Sequence, residues 1–128
     1  MRGPVVAVGV AAWLACASAA RAAGDGQLVH DYLLGCAGCH TLDGSGSAHV
    51  PSLRGVDRLL AKPGGRDYVL RVPGVANAPL SDARLAALLD WIFASFGNHA
   101  APHFTAAEVH AARATSFVDP KAARAALE

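Results

Sequence analysis

Hydrophobic positions recur at helical spacing along most of the chain and nowhere in the strict alternation of a half-buried strand. The strongest pattern is Leu85, Leu88, Leu89, Ile92, Phe93 and Phe96, at i, i+3, i+4, i+7, i+8 and i+11, which predicts an amphipathic helix. Ser81 stands as its N-cap, Leu80 and Leu85 fall in staple positions, and Gly97 follows as a stop. A shorter segment, Gly26 to Leu34, carries Leu28, Tyr32 and Leu33 at the same spacing and breaks at Gly35. Two further short helices are expected, Val56 to Ala61 and Arg66 to Val72, separated by Lys62-Pro63-Gly64-Gly65. Pro73-Gly74-Val75-Ala76-Asn77-Ala78-Pro79 reads as a loop that cannot be regular helix. Farther on, Thr105-Ala106-Ala107-Glu108 has the form of a capping box flanked by Phe104 and Val109, and Asp119-Pro120 can open a last helix ahead of an Ala-rich tail. With no repeat and no long linker, the expectation is an all-α fold in one domain.

The N-terminal pattern is of another kind. Arg2 is followed by an apolar run from Val5 to Ala17 and then by Ser18-Ala19-Ala20-Arg21-Ala22-Ala23. This is the layout of a secretory signal peptide, with Ala20 and Ala22 supplying the small-x-small pattern for cleavage after Ala22. An apolar run of about 13 residues is too short to span a hydrocarbon core about 30 Å thick as a helix, which argues against a stable membrane span. Cys16 lies within this segment, but Trp13 occupies the position where a lipid-attachment site would want Leu. Cleavage would leave about 106 residues in an extracytoplasmic, oxidising compartment, expected to be the periplasm.

Composition adds mainly exclusions. The 128 residues are 53% hydrophobic and 16% charged, which rules out a disordered polyelectrolyte. Eleven basic and ten acidic residues give a net charge of +1 without any basic run, so nothing marks a nucleic-acid partner. Asp31, Asp57, Asp67 and Asp90 form no paired-carboxylate pattern, and no Ser/His/Asp or phosphate-loop motif is present. The chain is expected not to be an enzyme.

Of the three cysteines, two survive export, and they share the string Cys36-Ala37-Gly38-Cys39-His40. A C-x-x-C-H pentapeptide is the attachment pattern of covalent haem c: each thiol adds to one vinyl group, and two intervening residues let both sulfurs reach one macrocycle edge. His40, adjacent to the second sulfur, is then placed as the proximal iron ligand. Competing readings have less to draw on. No β-branched run precedes Cys36 as a thioredoxin-like motif would want, and a zinc site would have to be completed by His99 and His103. A Cys36–Cys39 disulfide would leave His40 without a role. A core of this size is limited, so a large apolar porphyrin would contribute much of the packing, and the apo chain is expected to be largely unfolded.

From roughly residue 26 to 96 the sequence resembles a small class I cytochrome c, a single-haem exported bacterial electron carrier. Tyr32, four before the first Cys, matches the aromatic of that family's first helix. Val50-Pro51-Ser52-Leu53-Arg54-Gly55 resembles its G-P-x-L-x-G loop with Val50 in place of Gly, and Leu80 to Ile92 resembles its last helix with Trp91 as the packing aromatic. The resemblance implies a cytochrome c domain over residues 23–97 wrapped around one covalent haem, after a signal peptide over 1–22 and before a helical C-terminal extension over 98–128. It also implies that the carbonyl of Pro51 orients the proximal imidazole. Arg54, Arg58, Arg66 and Arg71 would lie around the haem edge, as propionate partners or as solvated helix faces.

The departure from the family is chemical. Its sixth iron ligand is normally a Met in the loop before the last helix, and the only Met here is Met1. That loop offers Asn77 alone as a polar side chain. Either a His coordinates or the distal site is open. His30 and His49 are poorly situated and His110 lies farther along; His103 is the preferred distal candidate and His99 the weaker one. Without a thioether the potential should be low with bis-His ligation, or the iron high-spin if the position is vacant. The expected function is electron transfer between an exported dehydrogenase and an oxidase or another cytochrome. The alternatives are a pentacoordinate haem protein that binds gas or reacts with peroxide, and a haem subunit of a dehydrogenase complex with the Ala-rich tail as its docking helix.

Overall fold

The computed structural model describes residues 24–98 and 103–127, and among these residues every regular element is helical. The signal-peptide segment and His99 therefore lie outside the described residues. The chain enters in helix α1, residues 24–35, and passes at once into the single turn α2, Ala37–His40. A 3-10 turn over Val56–Leu59 follows, then α3 (Gly65–Arg71), α4 (Pro73–Ala76), α5 (Asp82–Phe96), α6 (Ala106–Arg113) and α7 (Pro120–Ala125).

Local sequence explains most of the boundaries. Ser81 accepts the Arg84 N–H at 3.3 Å and caps α5. The capping box is complete at α6: Thr105 Oγ1 accepts the Glu108 N–H at 3.2 Å, while Glu108 Oε2 accepts the Thr105 N–H at 3.0 Å. Asp119 caps α7 by accepting from the N–H groups of Lys121 and Ala122, with Pro120 at the first helical position. The expected helix Val56 to Ala61 is only the short 3-10 turn. α3 begins at Gly65 rather than Arg66, and a Cβ on Gly65 would sit 1.6 Å from the Leu59 carbonyl oxygen, so close packing on that turn demands glycine.

The segment 73–79 does not stay a loop throughout, because Pro73–Ala76 closes one helical turn. Val72 ahead of it is extended, at φ −62° and ψ 139°, as a residue before proline prefers, and Pro73 occupies the first position, where a missing N–H costs nothing. Proline thus starts this turn instead of preventing it.

The core is built around α5, whose Leu85, Ala86, Leu88, Leu89, Ile92 and Phe93 are buried. α1 packs on one side: Tyr32 is 2% exposed, with its ring 5.5 Å from Trp91 and 5.3 Å from Phe96, and Asp31 pairs with Arg84 at 2.5 Å. α6 packs on the other side. Phe104 is 1% exposed with its ring 5.4 Å from Phe93, and Val109 is fully buried. Phe117 lies against Tyr68 at 5.9 Å, and Lys62 donates to the Leu127 carbonyl at 2.8 Å. No break in packing falls at residue 97: the segment read as an extension completes the same hydrophobic core.

Candidate functional site

α1 hands its hydrogen-bond ladder directly to the Cys-His turn. The Cys36 N–H donates to the Tyr32 carbonyl at 2.9 Å, and the Cys36 carbonyl in turn accepts from the N–H groups of Cys39 at 3.1 Å and His40 at 2.9 Å. One helical turn thus carries both sulfurs and the imidazole. Cys36 is half-buried and Cys39 exposed, and both are free thiols. Burial pushes the Cys36 thiol up, with the neighbouring Cys39 and Asp31 adding to the effect.

The imidazole is oriented from the Gly44–Gly55 loop. His40 Nδ1 lies 3.0 Å from the Pro51 carbonyl oxygen. A carbonyl can only accept, so Nδ1 carries a proton, and in the neutral ring this leaves the lone pair on Nε2, the form a metal requires. The loop is pinned to the turn by the backbone bond from Gly46 N–H to the His40 carbonyl at 3.0 Å and closed on itself by that from Leu53 N–H to the Gly44 carbonyl at 2.8 Å. Gly46 has φ +73°, and a Cβ there would meet the Val50 carbonyl oxygen at 2.4 Å, so no other residue fits.

Thr41 has the unusual backbone. Its φ of 68° with ψ of 165° is a region other residues leave to glycine. Tyr32 holds it there by donating its buried hydroxyl to the Thr41 carbonyl at 2.6 Å, and Thr41 Oγ1 donates to Asp43 Oδ1 at 2.8 Å. Hydrogen bonds from Ser45 and Thr41, helped by Arg54, draw the Asp43 carboxyl down to about 2. The chain is thereby forced to reverse immediately after His40.

Two adjoining cavities open beside this turn. The first, about 380 Å³, is bounded by Cys36, Cys39, His40 and Pro51 on one side and by Leu89, Ile92 and Phe93 of α5 behind. The second, about 430 Å³, lies over the segment from Pro73 to Leu80 and shares Cys36, Val75, Leu89 and Ile92 with the first. Their walls are predominantly aliphatic, and α4 stands between them. No family model, no curated protein and no solved structure matches the chain.

The structure brings Cys36, Cys39 and His40 together on one cavity wall, but His103 stands apart. Its Nδ1 is 3.2 Å from Asp90 Oδ2, its side chain is 85% exposed, and it lines neither cavity. The cause is the docking of α6: Asp90 Oδ1 accepts the Phe104 N–H at 2.8 Å, and Phe104 is drawn into the core, which carries its neighbour His103 onto the α5 surface. His110 is likewise paired with Asp82 at 3.0 Å. His49 lines the first cavity on the same loop as Pro51, on the His40 side. Among the described residues no group of three or more His, Cys, Asp or Glu side chains is arranged to hold a bare metal ion.

Three of the four arginines considered for the cofactor edge are paired with carboxylates. Arg54 pairs with Asp43, Arg66 with Glu108 at 2.7 Å, and Arg71 with Asp67 at 2.8 Å. None of Arg54, Arg58, Arg66 and Arg71 lines either cavity; Arg124 of α7 does, together with Pro120. Sequence reasoning missed Arg124, since nothing local distinguishes it from the other charges of an Ala-rich tail.

Proposed function

We propose that the protein is an exported single-haem c-type cytochrome that carries electrons between a dehydrogenase and an oxidase or another cytochrome in the periplasm. The observation that carries this reading is the conjunction at one turn: two free thiols three residues apart, and next to them an imidazole whose Nδ1–H is tied to the Pro51 carbonyl, all on the wall of an aliphatic cleft. A structural zinc site would need further ligands grouped with these, and among the described residues no such group of three or more is present.

The residues present fit a haem. Thioethers to Cys36 and Cys39 would fix one edge of the macrocycle, and the Nε2 lone pair of His40 would hold the iron. Bound there, the group would supply a one-electron ferric/ferrous couple. The chain's part is to bind and to insulate. Leu53, Val56, Val69, Leu89 and Ile92 line the cleft with aliphatic side chains, and the low dielectric they would give a bound haem would keep the couple's charge change from being fully screened. The Pro51 carbonyl pulls on the imidazole N–H and makes the ring a stronger donor at Nε2. Exposure of Cys39 leaves one edge of the site at the surface, where an electron can pass to a partner without any bond being made or broken.

The pentacoordinate alternative is supported by the second cavity wall, where Asn77 alone is polar in the segment from Val75 to Leu80. For the docking-helix alternative, Phe104 and Val109 are buried within this chain and so turned away from a partner, whereas Val118 is exposed and α7 buries no residue.

The test is production of the full chain in a host with cytochrome maturation machinery. The purified protein should carry a Soret band and a mass increased by one haem, and the double variant Cys36→Ser/Cys39→Ser should lose both. A parent protein with bare-polypeptide mass and no Soret absorbance would overturn the assignment. Reversible one-electron titration, with reduction by a periplasmic dehydrogenase extract, separates a carrier from a protein that only binds gas.

A further inference from the structure

The segment that closes the second cavity is held in shape from outside the region the motif reading covered. Arg113, near the end of α6, reaches the connection between α4 and α5 with its guanidinium. Its Nε donates to the Ala76 carbonyl at 3.0 Å, Nη1 donates to the Leu80 carbonyl at 2.8 Å and to Asp82 Oδ1 at 2.7 Å, and Nη2 donates to the Ala78 carbonyl. Only 22% of the Arg113 side chain is exposed. Three carbonyls of alternate residues, 76, 78 and 80, converge on one planar fork. That pattern needs the fixed geometry of a guanidinium and cannot be met by an ammonium point charge.

The other face of the same stretch is a wall. Val75, Asn77, Ala78, Pro79 and Leu80 all line the second cavity. The backbone bonds of this stretch are those of the α4 turn, from the N–H groups of Val75 and Ala76 to Val72 O at 2.9 Å and of Asn77 to Pro73 O at 3.0 Å, followed by Ala78 N–H to Val75 O at 3.1 Å and Leu80 N–H to Ala78 O at 2.8 Å. Without Arg113, three carbonyls would lose a charged donor, and those of Ala76 and Leu80 have no backbone bond of this stretch to replace it.

Resting on the haem reading of the site, we propose that Arg113 is a positioning residue: it holds residues 76–80 as a fixed wall of the second cavity, which adjoins the Cys-His turn through Cys36, and so would govern how readily an exogenous ligand enters the site. The C-terminal segment is then part of the haem environment, through a residue that touches the wall and not the cofactor.

The experiment compares the full-length holoprotein with Arg113→Gln, Arg113→Lys and Arg66→Gln. Arg66 is the control because it too joins the C-terminal segment to the body, through Glu108 at 2.7 Å and the His103 carbonyl at 2.7 Å, without contacting residues 76–80. Cyanide association with the ferric protein is followed in the Soret band, and the ferric paramagnetic-resonance spectrum is recorded for each. Arg113→Gln should speed cyanide association by about tenfold or more and shift the resonance spectrum, as expected when charged hydrogen bonds that hold a loop closed are removed. Arg113→Lys should fail to restore the parent rate, and Arg66→Gln should lower thermal stability while leaving the rate within about twofold of the parent. Parent-like rates and spectra in both Arg113 variants would overturn the proposal. An equal acceleration in Arg66→Gln would also overturn it, by showing that general loosening of the C-terminal segment is enough. If Arg113→Gln yields no holoprotein, Arg113→Lys decides alone, an unchanged rate counting against the proposal. Failure of the underlying haem reading would be seen separately, as a parent protein without Soret absorbance.

Discussion

Replacing Phe104 by Ala tests whether the C-terminal segment belongs to the core or merely adheres to it. Phe104 is 1% exposed, its ring stands 5.4 Å from Phe93 at 59°, and the Arg66 guanidinium lies over its face at 4.3 Å. Removing the ring forfeits the burial of a large apolar side chain, about 1.5–3 kcal/mol. It also forfeits an aromatic pair worth about 0.5–1.5 kcal/mol beyond burial and a cation–π contact of about 0.5–1 kcal/mol. The cavity left by incomplete collapse adds to the transfer loss, and the expected total is about 3–5 kcal/mol, in line with other Phe→Ala core truncations. For a domain of this size that corresponds to a fall in Tm of more than about 10 °C. The assay is guanidinium denaturation of the holoprotein, followed by far-UV circular dichroism and by the Soret band. Both probes should move together, because the ring packs on α5, and α5 also lines the cleft. A loss below about 0.5 kcal/mol, the range of ordinary surface substitutions, would refute the reasoning and make the segment an appendage.

Tyr32→Phe keeps the buried ring but removes the donor to the Thr41 carbonyl at 2.6 Å. The expected cost is about 1–3 kcal/mol in the same denaturation, since that carbonyl keeps only the long bond from the Gly44 N–H at 3.4 Å next to a strained backbone; a neutral result would show that the hydroxyl does not hold the turn after His40. Acid should release the C-terminal segment before the rest unfolds. Arg66, aided by Thr105, draws the Glu108 carboxyl from its ordinary 4.5 to about 2, and Arg113 and His110 lower Asp82 as well. A depressed carboxyl stabilises the fold above its unfolded value and loses that contribution as pH falls through the folded one, so the loss should develop between about pH 4.5 and 2. Amide hydrogen exchange of α6 across that interval is the measurement. Glu108→Gln should flatten the response, and an unchanged pH profile in that variant would dissociate Glu108 from it.

The sequence alone determined the features that depend on neighbours along the chain. Capping at Ser81, Thr105 and Asp119, the apolar stripe of α5 and the grouping of Cys36, Cys39 and His40 are all local, because a cap, a helical face and a one-turn spacing are complete within a few residues. Tertiary structure decided what required partners far apart. It tied the His40 ring to Pro51, eleven residues away, and left Nε2 as the free nitrogen. His103 went to Asp90 instead of the cleft, because burying Phe104 on α5 outweighs any preference of an exposed imidazole. Three carbonyls of residues 76–80 were gathered onto Arg113, a residue more than thirty positions later. Helical periodicity shows which face of the last segment is apolar, but not what that face will cover. That choice is made by the packing of the whole chain, where the gain in buried area is non-directional and only the assembled surface selects the partner.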